Sequence, residues 1–281
     1  MSFDGYNLRS QEYDDVLVSV ENAFGVSLDR AGRAFGTQGA TVGFPSSRGT
    51  WVHLTWRSPT AASGSWIGPE LASAITGVNK PVLFRSFRWT DESRQVVWRA
   101  DETELVKSAA VDGSGVIALD PALGDQWWTD LGVSLAALAG HETNRVAMGQ
   151  AHLTKRINEV FGDRGLDTTI NEWTTAHGDL HWGNVTGPDC YILDWESWGA
   201  APRGYDAATL WGHSLRVPGV ADRVQQQFAD DLGSRSGLLA QLLFCSNVIR
   251  LSKKRPTPGP LVEPAVRESE RVLSLLAHAP D

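Results

Sequence analysis

A chain of 281 residues with 42% hydrophobic content can build one large domain or two lobes around a sizeable core. Its 33 acidic residues outnumber its 25 basic ones, for a net charge of -8, which argues against nucleic-acid and anionic-membrane partners, since both demand clustered Lys and Arg. No apolar run approaches the roughly 18 residues of a membrane span, and the first residues lack a basic n-region followed by an apolar h-region. Cys190 and Cys245 are too few for a disulfide framework, so a cytoplasmic protein is expected.

In chain order, residues 16–24 have helical apolar spacing and stop at Gly25. Strands are predicted at 41–45, 50–57, 81–89 and 94–99, each rich in β-branched and aromatic residues and bounded by turn formers, with a short helix over 69–76 that starts on Pro69. Beyond Asp101 the texture turns polar and Gly-rich, and helices are predicted near 126–139, 145–161, 206–216, 220–232, 237–252 and 262–277, the last two separated by Pro256, Pro258 and Pro260. The expected architecture is α+β: an N-terminal antiparallel sheet lobe with one helix over residues 1–103 and a larger, mainly helical C-terminal lobe over 104–281. The chain holds 12 Trp; most should pack in the core, while Trp182 and Trp198 stand in loop sequence where they can line a site.

The chemistry concentrates in His177-Gly-Asp-Leu-His-Trp-Gly-Asn184 and in Tyr191-Ile-Leu-Asp194-Trp-Glu. Asp179 precedes Asn184 by five positions, the separation of Asp and Asn in the kinase catalytic loop. Asp194 ends a short apolar run, where a strand delivers a carboxylate to a site edge. A carboxylate base beside two oxygen ligands of the hard kind that magnesium prefers suits phosphoryl transfer, a reaction catalysed mostly by positioning and by cations. His177 and His181 flank Asp179; satisfying loop backbone groups is the simpler role for both, with His181 the better candidate for phosphate contact.

The segment from His177 to Glu196, with Gly204-Tyr-Asp206 after it, resembles the aminoglycoside phosphotransferase and choline kinase family. That resemblance implies a two-lobed protein-kinase-like fold with Asp179 as catalytic base, Asn184 and Asp194 as magnesium ligands, and Asp206 opening a helix that supports the catalytic segment. It also implies ATP or GTP as phosphate donor and a small hydroxylated acceptor, such as an aminoglycoside or nucleoside antibiotic or a related metabolite. A cationic acceptor would need carboxylates or aromatic surface from the C-terminal helices, for which Asp206, Trp198, Asp230 and Asp231 are the candidates.

The first lobe departs from the family pattern. Such proteins carry a Lys on the third strand that grips the phosphates and pairs with a helix Glu, yet no Lys precedes Lys80. The best-placed cation is Arg57, with Glu70, thirteen residues on, as its expected partner. The glycines of Gly36-Thr-Gln-Gly39-Ala-Thr-Val-Gly43 lack the spacing of a phosphate-covering loop, so Gly39 belongs either to a phosphate cradle or to a plain hairpin turn. The nucleotide base is expected against the backbone around Trp98, Arg99 and Ala100. Two other functions stay open: a nucleotide-binding pseudokinase without transfer activity, motivated by Arg57 and the irregular glycines, and a metallohydrolase in which His177, Asp179, His181 and Asp194 hold zinc.

Overall fold

The computed structural model describes residues 6–36, 39–62 and 66–278. The chain forms two compact units, Met1–Ala74 with Lys80–Lys107, and Ile75–Asn79 with Ser108–Asp281. The division expected at 103/104 thus compares with a passage at Lys107/Ser108 and a short excursion over Ile75–Asn79.

The first unit begins with α1 (Asp14–Phe24), which buries Val16, Leu17, Val20 and Phe24 and places Asp14 and Asp15 in the first turn, where the helix dipole favours acids. A five-stranded antiparallel sheet follows, in the order β1 (Ala34–Phe35), β2 (Thr41–Pro45), β3 (Thr50–Arg57), β5 (Val96–Glu104), β4 (Leu83–Asp91). Helix α2 (Gly68–Ala72) lies between β3 and β4 in sequence. The apolar sides of α1 and the sheet share one core that includes Val20, Phe44, Leu54 and Trp98.

Strand β5 runs to Glu104, five residues past the expected end. Asp and Glu are poor strand formers, so the sequence pattern stops where Ala100-Asp-Glu-Thr-Glu begins. The sheet carries these acids because each is paired: Glu102 accepts from Thr50 Oγ1 at 2.6 Å and meets Arg85, while Asp101 grips Arg99 Nε and Nη2, each at 2.8 Å. Arg99 is 1% exposed, and its charge is matched further by Glu70 at 2.6 Å and by the Trp66 carbonyl, as a buried guanidinium requires.

The second unit opens with β6 (Ala109–Ala110), then α3 (Asp125–Ala139) and α4 (Gln150–Phe161). Short strands β7 (Trp173–Ala176), β8 (Thr186–Gly187) and β9 (Gly199–Pro202) surround the motif, with β6 paired to β8 and β7 to β9. Helices α5 (Tyr205–His213), α6 (Pro218–Gln227), α7 (Ala229–Gly233), α8 (Arg235–Ser252) and α9 (Val262–His278) complete it. Leu153, Ile157 and Phe161 of α4 pack with Leu239, Leu242 and Leu243 of α8 and Val272 and Leu276 of α9.

Two helix expectations change. The helix predicted from 145 starts at Gln150, because Ala147 and Met148 donate both their amides to the Ala200 carbonyl in a bend outside the helix. The helix predicted over 220–232 breaks at Phe228. Among the described residues no helix is long and apolar enough to cross a membrane. Both cysteines are buried, and desolvation pushes each thiol up to about 12.

Candidate active site

Three contacts with the core hold the motif. Trp182 is fully buried, stacks on Trp127 of α3 at 5.9 Å and donates its indole N–H to Ser214 Oγ at 2.9 Å; Trp127 in turn donates to the Thr186 carbonyl at 2.7 Å. Trp182 therefore anchors the motif segment in the core instead of lining a site, the role expected from its loop neighbours.

The turn at Gly178 has φ +85°, and a Cβ there would come within 2.6 Å of the Ser197 carbonyl oxygen and 3.0 Å of Ala147 Cβ. Only glycine meets both conditions. The two amides that this turn leaves pointing inward, His177 N and Gly178 N, donate to the two carboxylate oxygens of Asp206 at 2.6 and 3.0 Å. Asp206 is buried in the first turn of α5, and desolvation raises its carboxyl above the ordinary range against the opposing pull of those amides. It is a brace for the loop, withdrawn from any substrate.

Asp206→Asn should destabilise the protein by about 2–4 kcal/mol, because one buried amide would then face an N–H instead of an acceptor. A thermal melt of D206N within about a degree of wild type would contradict this role.

The Asp179 side chain is 53% exposed, with His181 Nε2 at 3.8 Å from its Oδ2. Its main-chain carbonyl accepts from His181 N at 3.1 Å and from Asn184 Nδ2 at 2.9 Å. Asn184 is thereby oriented: its amide nitrogen is committed to the loop, and Oδ1 is the atom that could serve as a ligand. A hairpin then brings the second acid alongside, through the bridge of Val185 with Ile192 and the bond from Leu193 N to Asn184 O at 2.8 Å. Asp194 follows at once, exposed and in the left-handed region at φ +60°. Among the described residues neither Asn184 Oδ1 nor the Asp194 carboxylate accepts a hydrogen bond, so this pair of hard oxygen donors fits a magnesium ion that takes its remaining ligands from phosphate and water.

His177 is fully buried and its Nε2 bonds the Leu193 carbonyl at 2.8 Å, which ties the Asp179 turn to the Asp194 hairpin. His181 Nδ1 accepts from Gly183 N at 3.0 Å, so its neutral form keeps the proton on Nε2, on the Asp179 side. The His213 ring lies 5.5 Å away, and desolvation, as the largest cause, lowers its pKa below the usual imidazole value. A zinc cluster does not form: His177 is spent on a carbonyl, and among the described residues no three His, Cys, Asp or Glu side chains converge on a metal position.

Several expected contacts fall elsewhere. Glu70 pairs with Arg99, while the Arg57 guanidinium lies 5.0 Å from the Trp66 ring; the strand-to-helix ion pair has moved from the end of β3 to the middle of β5. Trp98, Arg99 and Ala100 cannot read a base with their backbone, because β3 and β4 take up the ladder on both sides of them. The side chains of Trp98 and Ala100 are in the core. Gly39 sits in the β1–β2 connection, where its carbonyl accepts from Leu8 N at 2.8 Å and its N–H bonds Gly36, the hairpin alternative. Asp231 is bound by Arg203 at 2.7 Å, Trp198 is buried against Arg145, and Asp230 is exposed in the first turn of α7. Sequence reasoning missed Arg99 as the partner of Glu70 and overlooked Arg145, since neither stands in a recognisable motif.

The sheet order of the first unit and the turn, hairpin and helices of the second make up a protein-kinase-like α+β fold. Compared by sequence, the chain matches no family model and no curated protein. Compared by structure, it resembles an amicoumacin kinase in complex with AMP-PNP, Ca2+ and Ami, with TM-score 0.57, 11% identity and 95% of each chain covered. It likewise resembles a spectinomycin phosphotransferase in complex with ADP and spectinomycin, with TM-score 0.56 and 11% identity over 95% of this chain and 98% of that one. A choline kinase from Streptococcus pneumoniae aligns with TM-score 0.53 and 11% identity over 95% of this chain and 99% of that one. At such identities the fold is what is shared.

Proposed function

We propose that the protein is a magnesium-dependent phosphotransferase that moves the γ-phosphate of ATP or GTP to a hydroxyl of a small molecule. The carrying observation is that one turn and one hairpin bring Asp179, Asn184 and Asp194 together, with the Asn184 amide bonded to the Asp179 carbonyl. Magnesium, when held by Asn184 Oδ1 and the Asp194 carboxylate, would neutralise phosphate charge and fix the donor's geometry. Asp179 orients the acceptor hydroxyl; as that oxygen bonds to the γ-phosphorus and the bond to the nucleoside diphosphate breaks, the hydroxyl proton passes to an Asp179 oxygen. His181 offers its Nε2–H as a donor beside the same carboxylate.

In the first unit Arg57 is assigned to the phosphates, and base recognition goes to the backbone of Leu105, Val106 and Lys107, which follow β5 and, among the described residues, take part in no ladder. The acceptor is proposed to be an antibiotic, of the aminoglycoside or nucleoside kind, or a related metabolite; the kinship of fold with antibiotic and choline kinases supports that class. With Asp231 already paired to Arg203 and Asp206 buried, Asp230 is the remaining carboxylate candidate for a cationic acceptor.

A thermal-shift measurement with ATP or GTP tests the donor half: stabilisation by about 2–3 kcal/mol is expected at nucleotide near 100 times its Kd with magnesium present, and a smaller shift without it. No shift with either nucleotide would sink the reading. Binding without turnover against a broad panel of hydroxylated antibiotics would favour the pseudokinase alternative, which the pairing of Glu70 with Arg99 also motivates.

A further inference from the structure

Asp194 adopts a left-handed backbone conformation, φ +60°, which a residue with a side chain keeps only when its surroundings impose it. On its N-terminal side the surroundings are clear. Leu193 is tied at both ends, its N–H to the Asn184 carbonyl at 2.8 Å and its carbonyl to His177 Nε2 at 2.8 Å. On its C-terminal side, Glu196 to Trp198 leads into β9, which opens at Gly199.

Arg145 supplies a restraint there. Its Nε donates to the Trp198 carbonyl and its Nη2 to the Glu196 carbonyl, both at 2.9 Å, and its guanidinium lies 5.0 Å from the Trp198 ring. Its own carbonyl accepts from Ala200 N at 2.8 Å, and the backbones approach so closely there that a Cβ on Gly199 would come within 2.8 Å of Ala147 N. Among the described residues Arg145 pairs with no carboxylate; both bound N–H groups go to main-chain oxygens of the one loop that carries Asp194. Charge-assisted donors of fixed fork geometry hold two carbonyls in a defined relation, which a lysine cannot reproduce.

We propose that Arg145 is a positioning residue for the metal site: by bridging the carbonyls of Glu196 and Trp198 it keeps Asp194 left-handed, with its carboxylate beside Asn184. The metal in this statement rests on the phosphotransferase reading; the restraint on the loop does not.

The test uses the full-length protein with Arg145→Gln and Arg145→Lys. Binding of a fluorescent N-methylanthraniloyl ADP is titrated with magnesium, and amide exchange is followed over residues 194–198. R145Q should need about tenfold more magnesium for half-maximal binding, the scale of losses when a ligand's supporting partner is removed, with metal-free nucleotide affinity unchanged. Exchange over 194–198 should quicken while that of α8 stays at the wild-type rate. R145K, able to reach one carbonyl, should fall between, and it carries the measurement if R145Q does not fold. A magnesium requirement equal to wild type in a folded variant would overturn the proposal, as would an equal loss of metal-free and metal-bound affinity. Wild type that binds the nucleotide at no magnesium concentration would instead fell the phosphotransferase reading; quickened exchange in R145Q would still identify the restraint.

Discussion

Asp179→Asn is expected to lower phosphate transfer about 1000-fold, in the middle of the range for losing a positioned proton acceptor, or about 4 kcal/mol in activation free energy. The fold should survive, because the loop is held through the main-chain carbonyl of Asp179, which accepts from His181 N and Asn184 Nδ2, and not through its half-exposed carboxylate. Nucleotide affinity measured with magnesium should stay within about twofold of wild type, since an interaction made only during transfer lowers kcat without touching ground-state binding. Single-turnover transfer with a responsive acceptor provides the measurement. Wild-type rates in D179N would remove Asp179 from the reaction; a simultaneous collapse of nucleotide binding would reassign it to the metal.

Asp194→Ala is expected to raise the magnesium needed for nucleotide binding by at least about 100-fold, beyond the 10–100-fold typical when only a ligand's supporting partner is lost. Two effects add. The anionic ligand disappears, leaving Asn184 Oδ1 as the protein's remaining donor, and alanine is less tolerant than Asp of the left-handed conformation seen at φ +60°. Asp194→Asn separates them: Asn accepts that backbone and keeps an oxygen, so its titration should lie between wild type and D194A. Isothermal titration of ADP at several magnesium concentrations reads the difference, and equal affinity in all three proteins would strike Asp194 from the metal site.

Much of this site could be read in one dimension because its parts are close in sequence. Asp179 and Asn184 lie within one turn, and Asp194 follows after a hairpin whose strands are too short to scramble the register, so local geometry almost dictates the grouping. The strands and helices were legible for the same reason: apolar alternation in β3 and helical spacing in α1 report the burial of each element against its own neighbours. Where burial is bought by pairing instead of by apolarity, the pattern goes silent. β5 continues through Asp101 and Glu102 only because Arg99, Arg85 and Thr50 meet them from elsewhere, and that is why a nucleotide contact was placed on residues that the sheet consumes.

The sequence by itself determined where the candidate chemistry lies, since the glycine turn, the proposed base Asp179 and the proposed metal ligands Asn184 and Asp194 sit on a single stretch whose spacing survives without the rest of the molecule. Only the tertiary structure decided which distant groups hold that stretch in working order: Asp206 beneath the Gly178 turn, Trp127 against Trp182, and Arg145 across the Asp194 loop. It also decided that Glu70 answers to Arg99. Hydrogen bonds and ion pairs between remote residues depend on where the core brings side chains together, and no period or spacing along the chain encodes that.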